Sequence, residues 1–201
     1  NDGLAMWYTK GNHGNGKTVH EFNPETMTKT YSDELLQDVG KSYYPNMNGG
    51  FGFTASWKGL SLNADFAFVL NKYMMNMDYQ FSTNTDNAKN GFNQSRDMLK
   101  MWKKPGDITD IPGLASKNVL DTRVLQNASF LRLKNLTLSY SLPQQWMQAT
   151  RFFDSVRIYA TARNLFTATK YKGGDPELDS NLALGFYPST RQYMLGVEVS
   201  F

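Results

Sequence analysis

The chain has 201 residues, enough for one domain or for a piece of a larger one. Its 21 Lys and Arg against 18 Asp and Glu leave a net charge of +3, too mild to argue for a nucleic-acid partner. Cysteine is absent, which removes disulfides, thiolate metal sites and cysteine nucleophiles, and no run of about 18 apolar residues exists that would make a transmembrane helix.

The first residues, Asn1-Asp2-Gly3-Leu4, carry no Met, basic region or apolar stretch, so a signal peptide is expected to be missing or removed, or the chain to be a fragment. Leu4 to Lys10 is a weak strand candidate. Next comes Gly11-Asn12-His13-Gly14-Asn15-Gly16-Lys17-Thr18, which fits the phosphate-loop pattern letter for letter. That chemistry needs a helix opening at Lys17, whereas Val19 and Pro24 oppose one and no buried parallel strand precedes it. The stretch reads as a flexible Gly/Asn loop. Both histidines, His13 and His20, fall here and leave no imidazole elsewhere.

Period-2 alternation then begins. Phe51, Phe53, Ala55 and Trp57 alternate with Gly50, Gly52, Thr54 and Ser56, and Leu60, Leu62, Ala64, Phe66, Phe68 and Leu70 share one face of the next segment. Only Lys58-Gly59 separates the two, the signature of a tight hairpin. Residues 77–122 form a long connection with one helix signal. Asn93 is positioned to cap it, Met98, Leu99 and Trp102 share a face, and Pro105 stops it.

A long strand candidate runs from Val124 to Leu142, ending in Leu136, Leu138, Tyr140 and Leu142 against Thr137, Ser139 and Ser141. Residues 155–163 place Val156, Ile158, Ala160 and Ala162 opposite Arg157, Tyr159 and Arg163, three residues suited to an anion or sugar but read as lining a wet lumen and pairing with neighbours. The last residues place Tyr193, Leu195, Val197, Val199 and Phe201 on one face. Short connections, 58–59 and 143–154, alternate with long ones, 11–48, 77–122 and 171–189. Compact soluble domains rarely keep loops above about 15 residues, but outer-membrane barrels pair short periplasmic turns with long extracellular loops.

The carboxylate pairs Asp175/Glu177 and Asp107/Asp110 sit in Gly/Pro loops, where acidic residues are ordinary turn formers, and no catalytic centre is expected. The sequons at Asn127 and Asn135 lie inside a strand and carry no argument.

Several blocks together are more specific. Asn127-Ala128-Ser129-Phe130-Leu131-Arg132-Leu133-Lys134-Asn135-Leu136-Thr137-Leu138-Ser139-Tyr140-Ser141-Leu142-Pro143 resembles the hallmark strand of SusC/RagA-family TonB-dependent transporters. Ala162 to Thr167 with Tyr171 to Glu177, then Tyr187 to Tyr193 running into Phe201, resemble the family's following blocks in order. Trp102 with Pro105 to Pro112 fits the external loop before the hallmark strand.

The resemblance covers roughly residues 41–201 and implies an all-β, antiparallel transmembrane β-barrel segment, the last five to six strands of a barrel of about 22. It implies import of glycans or peptides across the outer membrane of a Gram-negative bacterium of the Bacteroidota, with a SusD-like lipoprotein lid. TonB would act through an N-terminal part and a plug domain absent from this chain. An acidic, calcium-loop-like run common in the family is missing near residue 50, so no metal and no cofactor is expected. The competing reading is a soluble β-sandwich carbohydrate-binding module, which also has alternating strands and aromatic loops.

Under the barrel reading the long loops are extracellular. Phe51, Phe53, Trp57, Leu62, Phe66, Phe68, Leu136, Leu138, Tyr140, Val156, Ile158, Leu195 and Val197 face lipid. The same parity carries Arg132 and Lys134 outward at the rim, toward lipopolysaccharide phosphates. Trp102, Tyr171, Phe186 and Tyr187 are the candidates for contact with an oligosaccharide or peptide, since aromatic faces stack on sugar rings and apolar side chains. The terminal strand, Tyr193, Leu195, Val197, Val199 and Phe201, is the expected signal to the barrel-assembly machinery.

Overall fold

A computed structural model describes residues 2–12, 19, 21–150 and 152–201. Both histidines and residues 13–18 of the phosphate-loop match lie outside the described residues. In chain order the strands are β1 (Trp7–Tyr8), β2 (Met27–Thr28), β3 (Met47–Trp57), β4 (Leu60–Leu70), β5 (Tyr73–Asn76), β6 (Leu125–Asn127), β7 (Phe130–Ser141), β8 (Ser155–Thr169), β9 (Leu182–Ala183) and β10 (Gln192–Ser200). Three short helices join them: α1 (Met77–Ser82), α2 (Thr85–Lys89) and α3 (Gln144–Thr150). The chain divides into two units. One holds Asn1–Tyr44, Tyr73–Asn127 and Leu178–Phe186, the other Pro45–Lys72, Ala128–Glu177 and Tyr187–Phe201.

The second unit is one antiparallel sheet in the order β10-β8-β7-β4-β3, so each long strand pairs with the next long strand along the chain. Its register starts at the hairpin. Lys58 and Gly59 take φ values of +47° and +86°, the doubly left-handed turn whose twist matches two antiparallel strands, and Trp57 then sits opposite Leu60. Residues directly opposite share a face, so the ladders assemble rows. Trp57, Leu60, Tyr140, Ile158 and Val197 form one apolar row, and Ala55, Leu62, Leu138, Ala160 and Leu195 the next. Phe51 stacks on Phe66 with ring centroids 4.9 Å apart. The other face is polar. Asn63 donates to Thr54 at 3.0 Å, Ser56 to Ser61 at 3.1 Å, and the Thr137 and Thr161 hydroxyls meet at 3.0 Å.

The thirteen side chains expected to face lipid therefore do share one face. That face is bare: Leu195 is 87% exposed, Trp57 70% and Phe53 50%. A sandwich would bury these residues under a second sheet, so the β-sandwich reading fails on packing. Among the described residues, the edge of β10 away from β8 and the edge of β3 away from β4 have no partner strand.

The parity of the hallmark strand breaks at a bulge. Asp65 pairs with Asn135 but Phe66 pairs with Leu133, so β7 carries one extra residue at Lys134. Opposite it, β8 is irregular at Asn164, a non-glycine with φ +51°. Beyond the bulge the apolar face passes from the even residues Leu136 and Leu138 to the odd residues Leu133 and Leu131. Arg132 consequently joins the polar face, in the row of Ala67 and Thr167, and is 3% exposed. The expectation that Arg132 and Lys134 point outward toward lipopolysaccharide is corrected: one extra residue inverts every side chain after it.

In the first unit β5 lies between β6, antiparallel, and β9, parallel. Residues 77–122 hold more helix than the single signal suggested. Asn76 caps α1 by accepting from the Tyr79 N–H, and Asn84 caps α2 by accepting from Asp86 and Asn87. The expected helix is a 3₁₀ turn, Arg96–Lys100, capped by Ser95 rather than Asn93 and ended at Met101, before Pro105. Met74, Val124, Thr83 and Thr85 are buried in the first unit, where Arg123 donates to Gln80 at 2.8 Å and Thr83 at 3.3 Å. Only Trp7–Tyr8 of the Leu4–Lys10 candidate is strand. No helix among the described residues is long and apolar enough to cross a membrane, which bears on helices alone.

Candidate functional site

The polar face of the sheet ends, on the side of the long loops, in a buried ionic cluster. The bulge turns Arg132 inward, and the turn after β8 brings Asp175 and Glu177 to it. Arg132 Nη2 donates to Asp175 Oδ1 at 2.5 Å, Nη1 to Glu177 Oε2 at 2.5 Å, and Nε to Thr167 Oγ1 at 2.9 Å. Lys134 pairs with the other oxygen of Glu177. The Arg132 and Asp175 side chains are each 4% exposed. Pairing is what makes this burial tolerable, since a lone charge there would be strongly disfavoured.

Asp175 also accepts the backbone N–H of Glu177 and of Ser189, each at 2.9 Å. One carboxylate thus holds a strand side chain and two points 12 residues apart in sequence, where the chain leaves the sheet unit and where it returns. Burial disfavours its charge, but the Arg132 guanidinium and the two N–H donors outweigh that and hold the carboxyl well below the usual carboxylate range. The pair Asp175/Glu177 is therefore committed to cations, and its geometry is that of a clasp. Asp107 behaves as a turn former: it accepts the backbone N–H groups of Lys103 and Lys104 at 3.0 and 3.1 Å.

Beside the clasp lies a cavity of about 350 Å³, bounded by Arg132, Asn164, Thr167, Gly173, Asp175, Ser189 and Arg191 among others. Asn164 donates to the Thr190 carbonyl at 3.2 Å, which seats the returning chain against the irregular turn of β8.

The four aromatic candidates divide between the two units. Trp102 and Phe186 belong to the first unit, Tyr171 and Tyr187 to the second. The Trp102 ring lies against Gly3 and Gly113, where a Cβ would come within 2.2 and 2.9 Å of it, and the Trp102 backbone N–H donates to the Ile111 carbonyl at 3.0 Å. Tyr171 is 6% exposed, with its ring over Gly173. Both therefore pack their loops. Phe186 is about half exposed and Tyr187 almost fully, so these two remain open to a ligand. In β10, Tyr193, Leu195, Val197 and Val199 are exposed on the apolar face, and the Phe201 ring stacks on Phe152 at 6.2 Å. Arg157 pairs with Glu198 at 2.8 Å across β8 and β10, as a residue of the wet face should.

Among the perturbed groups of the first unit is a tyrosine. The Tyr43 hydroxyl donates to Asp179 at 2.7 Å, and burial together with that carboxylate pushes it up to about 12. No group of three or more His, Asp or Glu side chains suited to a metal occurs among the described residues.

Reading the residues in sequence missed the Arg132–Asp175 clasp. Its signal was present, two cations in a strand otherwise alternating apolar and neutral, but their partners lie 43 residues on.

No family model matches the chain. Among curated proteins it is similar to the TonB-dependent receptor SusC of Bacteroides thetaiotaomicron, 30% identical over 190 residues, which is 94% of this chain and 17% of SusC. It is 28% identical over 170 residues to the TonB-dependent receptor P3 of Formosa agariphila, covering 78% of this chain and 16% of that one. Among solved structures it is similar to the RagAB peptide importer in the "open-open" state, with a TM-score of 0.83 and 39% identity over 98% of this chain. The RagAB peptide transporter gives a TM-score of 0.84 and 39% identity over 99%. The chain spans about a fifth of those solved chains and less of the curated relatives.

Proposed function

Since the chain belongs to the SusC/RagA family of TonB-dependent receptors, we propose that it supplies the final strands of an outer-membrane barrel that imports oligosaccharides or peptides. The five-stranded meander supports this reading most directly, with one face apolar and uncovered and the other lined by hydroxyls, amides and ion pairs. Lipid covers the first face and the transport lumen wets the second. The rest of the protein supplies the plug and the segment that TonB engages. A SusD-like surface lipoprotein closes over the long loops, and the barrel-assembly machinery reads the last strand. Peptides are the first substrate class to test, because the neighbours at 39–40% identity are described as a peptide importer.

The experiment is fractionation and uptake with the full-length gene. The protein is expected in the outer-membrane fraction, and its deletion should abolish growth on the peptide or glycan mixture that it imports. Recovery with the soluble proteins would overturn the reading.

A further inference from the structure

We propose that the cavity beside the Arg132–Asp175 clasp is a subsite for a carboxylate on the transported molecule, with Arg191 as its charged anchor. The charges argue for it. Within the clasp two cations, Arg132 and Lys134, face two anions, Asp175 and Glu177, and cancel. Arg191, on the cavity wall, forms no ion pair or hydrogen bond among the described residues and is exposed. The cavity therefore presents one unanswered positive charge. A guanidinium fork matches a carboxylate with two parallel hydrogen bonds, a geometry that an ammonium cannot reproduce.

The remaining walls suit a small polar group. Thr167, Thr169 and Ser189 contribute hydroxyls, Asn164 an amide, and Gly173 and Gly174 bring backbone to the wall. The volume, about 350 Å³, holds one sugar ring or one to two residues of a peptide. The clasp gives the site rigidity, because Ser189, two residues before Arg191, is tied to Asp175 through its N–H. Arg132 and Thr167 place the cavity on the polar face, at the end where the long loops emerge. A carboxylate reaches such a place either as a peptide C-terminus or on a uronic acid, and the chemistry is shared.

The inference rests on the polar face being the transport side, but its test does not depend on import. The full-length receptor is purified in detergent and titrated, by ligand-observed NMR, with trialanine against trialanine amide and with digalacturonate against digalactose. At least one acid should bind roughly tenfold more tightly than its neutral counterpart. Arg191→Gln should erase that preference, and Arg191→Lys should keep only part of it. The pair that shows the preference names the source of the carboxylate. Equal binding of acid and neutral forms, no binding of either acid, or a preference that survives Arg191→Gln would each overturn the subsite. A lower melting temperature of Arg191→Gln with the preference intact would assign Arg191 to a structural contact with another part of the full chain. If the acid preference holds while the deletion strain still grows on the test mixture, the import reading fails and the subsite stands.

Discussion

At the long-loop end of the sheet unit, three donors from three places in the chain converge on Asp175. Replacing it by Asn keeps the shape but leaves the buried Arg132 guanidinium with Glu177, the more exposed of its two anions, alone. Breaking a buried pair from one side costs about 3 kcal/mol or more. The urea midpoint of full-length Asp175→Asn in detergent should fall accordingly, and loop proteolysis near Lys170 and Lys172 on intact cells should rise. The pH dependence has a definite sign. The carboxyl is depressed in the folded protein, so its stabilisation is fully present above the ordinary carboxylate pKa of about 4 and is lost as pH falls through the lower folded value. The wild type should hold its urea midpoint down to about pH 4 and weaken below it, and Asp175→Asn should lack that part of the acid limb.

Adjacent residues of β7 should respond in opposite ways to the same substitution. Leu138 lies in the apolar row of Leu62 and Ala160, and Ser139 in the polar row of Ser61 and Tyr159. Arginine at Leu138 should cost about 2–4 kcal/mol near mid-membrane and lower the amount of receptor in the outer membrane, whereas arginine at Ser139 should be close to neutral. Equal effects would mean that the sheet does not separate lipid from water. For β10 the relevant change is deletion of Phe201. It removes the aromatic end of a strand whose outer edge is open for pairing, so outer-membrane levels should drop while synthesis stays constant. Normal insertion would leave Phe201 only its stacking on Phe152.

Every long connection of the meander leaves from one end of the sheet and every short one from the other, because consecutive long strands are antiparallel neighbours. On the proposed barrel reading, the end that carries the long connections faces the cell exterior. An epitope tag inserted between Asn90 and Gly91, an exposed turn just after α2, should bind antibody on intact cells. Labelling only after lysis would invert the assignment. The bare apolar face gives the companion expectation that the full-length protein needs detergent or lipid to stay dispersed, since so much exposed apolar surface drives association in water.

The alternating faces of β3, β4, β7, β8 and β10, the Lys58-Gly59 hairpin and the order of short and long connections were all legible along the chain. Each depends on a local rule: successive strand side chains point to opposite faces, and a two-residue turn needs residues that accept positive φ. The family blocks were legible for the same reason, being contiguous. The direction of Arg132 was not, because a bulge is defined by which residue a neighbouring strand pairs with. Asp65 opposite Asn135 and Phe66 opposite Leu133 is a relation between segments some 70 residues apart. Nor was the split of Val124–Leu142 into β6 and β7, which go to different units around the buried Ala128, whose N–H donates to Lys72 at 2.8 Å. The clasp and its cavity belong to the same class. The sequence carried the charges of Arg132, Lys134, Asp175, Glu177 and Arg191, but only the folded register decided which of them cancel and which one is left facing the cavity.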